Sequence, residues 1–254
     1  MKTVVLVLAL CALPLLLAGC GGSREGGATS PSAGGPAAVN VADAGGIRGV
    51  VTYPGPDTDK PISMQGDPAC AAAHPEPVDT NEIALKGGKL ANVFVYVKSG
   101  LEGRSFPVPA EKKRVDQRGC LYSPRVLGVQ VGQTVEFTNS DATLHNVHAV
   151  PVANTEFNEP QAQGTPPADK RLDKPEVMVP VRCDLHPWMT SYIGVLPHPY
   201  YTVSGEDGRF SIRNLPPGRY TLEAWHETLG TQTRDVTVAP RQTVTVGFDF
   251  KPKP

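Results

Sequence analysis

Beyond residue 45 the apolar segments of this chain are short, rich in Val, Thr, Tyr and Phe, and interrupted by glycine and proline, of which there are 26 each among 254 residues. Such segments read as strands separated by turns, so an all-β fold is expected. The clearest are IRGVVTY (47–53), stopped by Pro54-Gly55, LANVFVYV (90–97), and VLGVQVGQTVEFTN (126–139), two strands hinged at Gly132. In the last of these Val129, Val131, Val135 and Phe137 alternate onto one buried face. LHNVHAV (144–150) and TSYIGVL (190–196) read as further strands, whereas 54–80 and the polar, proline-rich 151–174 read as loops.

The length allows one large or two ordinary domains with a sizeable core. A formal net charge of -1 offers no basic excess for nucleic acid. Lys2, an apolar run from Val4 to Leu17 and the closing LAGC (17–20) have the form of an export signal, and they resemble a bacterial lipoprotein lipobox. That resemblance implies a signal peptide at 1–19, lipidation of Cys20, and a protein hung from a membrane by its acyl chains. The other readings of the segment are a plain secretory signal or one uncleaved anchor helix. Residues 20–45, dominated by Gly, Ala, Ser and Pro, read as a flexible tether. Gly21 resembles the residues compatible with outer-membrane sorting, so the expected location is extracytoplasmic, lipid-anchored to a bacterial membrane in the periplasm, with the outer membrane as the expected anchor.

The export compartment is oxidising, so an odd thiol needs a reason to stay reduced. Cys11 leaves with the signal and Cys20 takes lipid, which leaves Cys70, Cys120 and Cys183. If Cys183 serves a metal, Cys70 and Cys120 are free to pair. Their bridge would close a loop worth about 4 kcal/mol in the chain-entropy treatment.

The reason to reserve Cys183 lies in VMVPVRCDLHPWM (177–189), which sets Cys183, His186 and Met189 in the order CxxHxxM. Val177, Val179, Val181 and Cys183 fall on one strand face, so the sulfur enters with the apolar side, and the chain turns at His186-Pro187. Together with the upstream VGQTVEFTNSDATLHN (131–146), this stretch resembles the cupredoxins, the small blue-copper β-sandwich proteins, with the short ligand loop of amicyanin. The resemblance implies a Greek-key sandwich over 105–198 and one type 1 copper held by His145, Cys183, His186 and a weak axial Met189.

Chemistry agrees, since thiolate and thioether suit Cu(I) and imidazole accepts Cu(II). A structural zinc site would normally show a CxxC pair, and a dinuclear copper centre would need two cysteines in the loop. His148, three residues from His145, points to the opposite strand face and is the alternative ligand. Asn146 is expected to brace the Cys183 loop. Trp188 is either loop packing or part of a docking patch beside His186, whose ring is expected to form the exposed exit edge for electrons. His74, His198 and His226 read as loop or core histidines, with a secondary metal site as their alternative.

The tail, GEDGRFSIRNLPPGRYTLEAWHE onward, has a DG turn, an LPPG turn and alternating strands ending in VTVGFDF. It resembles the later half of the carboxypeptidase regulatory-like, transthyretin-type β-sandwich. On that reading 46–104 and 199–250 are the two parts of one sandwich, with the cupredoxin domain inserted between them; one enlarged sandwich or two in tandem are the alternatives. The function expected is a membrane-tethered carrier of single electrons between redox protein partners, not an enzyme. The other readings are a copper-binding or surface scaffold protein and a copper-dependent oxidoreductase, the last opposed by six histidines without an HxH motif.

Overall fold

A computed structural model describes residues 41–252, which are almost wholly strand and turn, with one six-residue α-helix, Pro68–Ala73, among them. The chain is thus all-β, as its short alternating segments require. The signal at 1–19, Cys20 and most of the tether lie outside the described residues. No helix among the described residues is long and apolar enough to cross a membrane.

Two hydrophobic cores organise the strands. Around the first, one sheet runs Arg209–Leu215, Gly45–Thr52, Lys89–Leu90, Leu85–Lys86, and the facing sheet runs Tyr201–Val203, Phe94–Ser99, Gly218–His226, Gly230–Val238. Gly45–Thr52 also pairs in parallel with Thr243–Asp249, so the earliest long strand sits between two of the latest. Ile47, Val51, Leu90, Val95, Val97, Phe210, Leu222 and Phe248 fill this core.

Around the second core, a sheet of Ala168–Arg171, Thr134–Asn139, Lys113–Gln117 and Tyr122–Ser123 faces one of Phe157–Gln161, His145–Ala149, Glu176–Arg182, Thr190–Leu196 and Val126–Gln130. Val115, Val129, Val135, Phe137, Val147, Val179, Val181 and Ile193 fill it. The chain leaves the first sandwich after Phe94–Ser99 and re-enters it at Tyr201–Val203. At that crossing the Val97 N–H donates to the Tyr200 carbonyl (3.1 Å), and His198 Nε2 donates back to the Val97 carbonyl (2.9 Å). An excursion whose two ends already meet adds little loop-closure entropy.

The unbroken apolar run at 90–97 follows from this arrangement. Val93, Val95 and Val97 face the first core, while Phe94 and Tyr96 on the opposite face join Val126, Met178 and Leu196 in a third cluster between the sandwiches. A strand buried on both faces has no polar positions to alternate with.

Three segments differ from the sequence expectation. Residues 54–80, read as loop of the flanking sandwich, contain Pro61–Ile62 paired with Val78–Asp79 and the helix Pro68–Ala73. Met64 and Cys70 of this segment belong to the second core, drawn there by a Cys70–Cys120 disulfide with Cα atoms 5.5 Å apart. Residues 151–174 carry two strands, Phe157–Gln161 and Ala168–Arg171, whose polarity reflects their place at sheet edges. Val177 is exposed while Met178 is buried, because the pairing register shifts between Glu176 and Val179 and turns the strand over before Val179, Val181 and Cys183 face inward.

Candidate metal centre

Strand register brings the candidate ligands together. His145–Ala149 pairs antiparallel with Glu176–Arg182, His148 opposite Arg182, which sets His145 level with the loop that follows Cys183. That loop is closed by two backbone hydrogen bonds, Cys183 N–H to the Met189 carbonyl (3.2 Å) and Met189 N–H to the His186 carbonyl (2.9 Å). His145, Cys183, His186 and Met189 are all buried, and Cys183 and Met189 share one apolar cluster. Cys183 is the free cysteine among the described residues.

The donor atoms converge. His145 Nδ1 lies 2.9 Å from His186 Nδ1, Cys183 Sγ lies 3.6 Å from His186 Nδ1, and all three donors fall within 4.8 Å of one another. The two rings meet edge to face, with centroids 4.7 Å apart. Two nitrogens bound to one ion at about 2.0 Å each stand at most about 4 Å apart, so this donor set fits a single metal ion.

Each imidazole is oriented from its far side by a carboxylate. His145 Nε2 lies 3.0 Å from Asp141 Oδ2, and His186 Nε2 lies 3.2 Å from Asp67 Oδ2. A carboxylate accepts, so each Nε2 carries the proton and each Nδ1 presents a lone pair. Two lone pairs facing each other at 2.9 Å repel unless a proton or a metal ion stands between them. Burial lowers the pKa of His145 against the partly compensating pull of Asp141, with the nearby His186 lowering it further. Asp67 is lowered to about 2, first by the Thr143 hydroxyl and then by the N–H groups of Cys70 and Ala69, against the opposing effect of burial.

Further contacts stiffen the frame. Asn146 Oδ1 accepts from the Asp184 N–H (2.8 Å) and the Cys183 thiol (3.4 Å), while its Nδ2 donates to Asp184 (2.9 Å) and Asn158 (2.7 Å). The buried Tyr122 hydroxyl reaches the carbonyls of Asn146 (2.5 Å) and Arg182 (3.0 Å), joining the two ligand strands. Burial raises its pKa, with the charges of Cys183 and Asp184 adding to the effect. Asp141 accepts from the successive N–H groups of Gly119 (2.6 Å) and Cys120 (2.8 Å), both residues with positive φ, so one carboxylate clasps the disulfide loop and aims His145.

His148 faces outward between Asp184 (2.9 Å) and Glu156 (2.9 Å), and it is absent from the donor groups among the described residues. Its pKa is raised by Asp184 and then Glu156; that of Asp184 is lowered, first by His148. His186, expected to form an exposed edge, is 5% exposed, because Asp67, Cys70 and Trp188 cover it. Trp188 is half-buried, its ring 5.2 Å from that of His186 and its N–H donated to the Cys120 carbonyl (2.9 Å).

The remaining histidines belong to none of the donor groups among the described residues. His74 Nε2 meets the Gly119 carbonyl (2.6 Å), His198 pins the crossing between sandwiches, and His226 Nδ1 accepts from the N–H groups of Thr228 and Leu229 (3.2 Å each).

Sequence reasoning missed Asp67, Asp141, Thr143 and Tyr122. Asp141 had a local signal, an acidic residue four positions before His145 in a turn. Asp67 had only its place three residues before a cysteine whose partner lies fifty positions on.

Residues 195–251 match the carboxypeptidase regulatory-like domain family, over the later strands of the first sandwich. Among solved structures, the chain is similar to a purple cupredoxin from Nitrosopumilus maritimus at 24% identity and TM-score 0.29, covering 33% of this chain and 98% of that one. It is similar to a mutant of amicyanin in the Cu(I) state at 23% identity and TM-score 0.30, covering 40% and 97%. It is also similar to a copper-containing nitrite reductase from Thermus scotoductus at 21% identity and TM-score 0.32, covering 59% of this chain and spanning only 28% of that one. No curated protein matches the chain.

Proposed function

We propose that His145, Cys183, His186 and Met189 hold a single copper ion and that the protein passes single electrons between redox partners outside the cytoplasm, tethered to a membrane through Cys20. The observation that carries the copper reading is the pair of facing Nδ1 atoms, 2.9 Å apart and beside the Cys183 sulfur, with both Nε2 positions committed to carboxylates. A thiolate, two imidazoles and a nearby thioether suit both oxidation states of copper, and copper when bound supplies the one-electron couple. Zinc gains little from a thioether.

The residues of the chain act by holding this set still. Asp141 and Asp67 fix the imidazole tautomers, Asn146 and Tyr122 lock the Cys183 loop to the His145 strand, and the buried Met189 closes the loop. A rigid, dry donor set limits rearrangement when the charge on the ion changes. The burial of every donor suits electron passage, which needs no direct contact with the ion. The lipobox-like LAGC supports the tether, and redox proteins are the partners such a carrier serves.

The oxidised, copper-loaded protein should show intense thiolate-to-copper absorption toward the red end of the visible. Cys183→Ser should abolish it, and a colourless wild-type copper complex would sink the proposal.

A further inference from the structure

The edge of His186 that a partner or small ligand would reach is closed by a segment from a distant part of the chain. Residues 61–79 lie over it, fastened by the Cys70–Cys120 disulfide, by Thr143 Oγ1 donating to Asp67 Oδ2 (2.7 Å), and by His74 against the Gly119 carbonyl. Asp67 divides its two oxygens between two tasks. Oδ1 accepts the N–H groups of Ala69 (2.8 Å) and Cys70 (3.1 Å), capping the helix Pro68–Ala73. Oδ2 accepts from Thr143 and faces His186 Nε2 at 3.2 Å. Cys70 Sγ stands 3.8 Å from the same nitrogen, so the bridge and the carboxylate together shut this side of the ring.

We propose that Asp67 is a positioning residue of the metal centre, and that its disulfide-anchored segment is a fixed cover that keeps His186 Nδ1 aimed at Cys183 and keeps external ligands from the ion. The inference rests on the copper reading above and adds to it a residue that touches neither the ion nor the electron's partner. Without Asp67 the His186 ring is free to turn about its side-chain bonds, and the tautomer that frees Nδ1 is no longer enforced. Without the bridge, the cover loses its covalent anchor and keeps Thr143, His74 and the packing of Met64 to hold it.

Asp67→Asn separates the two tasks. The amide oxygen can still cap the helix, but the group facing His186 becomes an N–H donor opposed to an N–H donor. Asp67→Ser also retains a capping oxygen and is too short to reach His186. Both variants should release copper to a chelator about 10–100-fold more readily than wild type and shift the thiolate absorption, beyond what the fall in their metal-free melting temperatures accounts for. The Cys70→Ser/Cys120→Ser double variant should let azide perturb the copper spectrum at concentrations that leave the wild type unchanged.

Wild-type copper retention and spectra in both Asp67 variants overturn the inference and leave the copper reading standing. So does copper loss that merely tracks a lowered metal-free melting temperature across the series. Wild-type protein lacking the thiolate absorption overturns the copper reading, and the inference with it.

Discussion

At the residue scale, the proposed centre depends on what stands behind its candidate ligands. The convergence of His145, Cys183 and His186 was legible because a short loop and one strand supply them in a characteristic order. Asp67 and Asp141, which decide which nitrogen each ring presents, were not, because one comes from a helix cap whose relation to His186 exists only in the fold. His148 shows the same surroundings acting on a residue outside the donor set. Its pKa is raised above 6.5 by Asp184 and Glu156, so its contribution to stability is complete below about pH 6.5 and is lost as pH rises through the raised value. Asp184, lowered below 3.8, contributes above about pH 3.8 and loses that contribution as pH falls through its own lowered value. The pair therefore helps most between those limits. His148→Gln should lower the melting temperature of the metal-free protein at about pH 5.5 and have little effect at about pH 9. An equal drop at both would show that packing, not charge, is what His148 provides.

At the scale of elements, the strands were largely visible and their edges were not. Alternation marks a strand with one wet face, which is why Val135 and Phe137 were placed correctly, but the edge strands Phe157–Gln161 and Ala168–Arg171 carry too little apolar character to signal themselves. The register shift after Glu176 was invisible because both Val177 and Met178 are apolar. The contact between the sandwiches depends on a pair of glycines that no periodicity reveals. Gly128 and Gly194 are partners across adjacent strands, and the Phe94 ring enters the space they leave. A Cβ on Gly194 would stand 2.5 Å from Phe94 Cζ and 2.8 Å from Met178 Sδ. Gly194→Ala should therefore destabilise the protein by about 1–3 kcal/mol in urea unfolding, as overpacking does, and Phe94→Leu introduced with it should recover part of the loss. Wild-type stability in Gly194→Ala would contradict the close approach.

At the scale of the molecule, the two sandwiches are joined by more than the chain that runs between them. Beside the aromatic contact of Tyr192 with Trp225, Arg125 grips Glu227 through Nε–Oε1 at 2.5 Å and Nη2–Oε2 at 2.8 Å. Arg125 leads into a strand of the second sandwich and Glu227 follows one of the first. Their side chains are 14% and 8% exposed, so removing one partner strands the other's charge away from water. Arg125→Met alone should cost about 3–5 kcal/mol, whereas Arg125→Met with Glu227→Leu, which removes both charges, should return close to wild-type stability. All four proposed ligands lie in the second sandwich or its loop, and neither Arg125 nor Glu227 touches them. The thiolate-to-copper absorption should therefore keep its position in both variants while the denaturation midpoint moves only in the first. A spectral shift accompanying the loss of stability would mean that the first sandwich acts on the metal centre through this joint, rather than only holding the second in place.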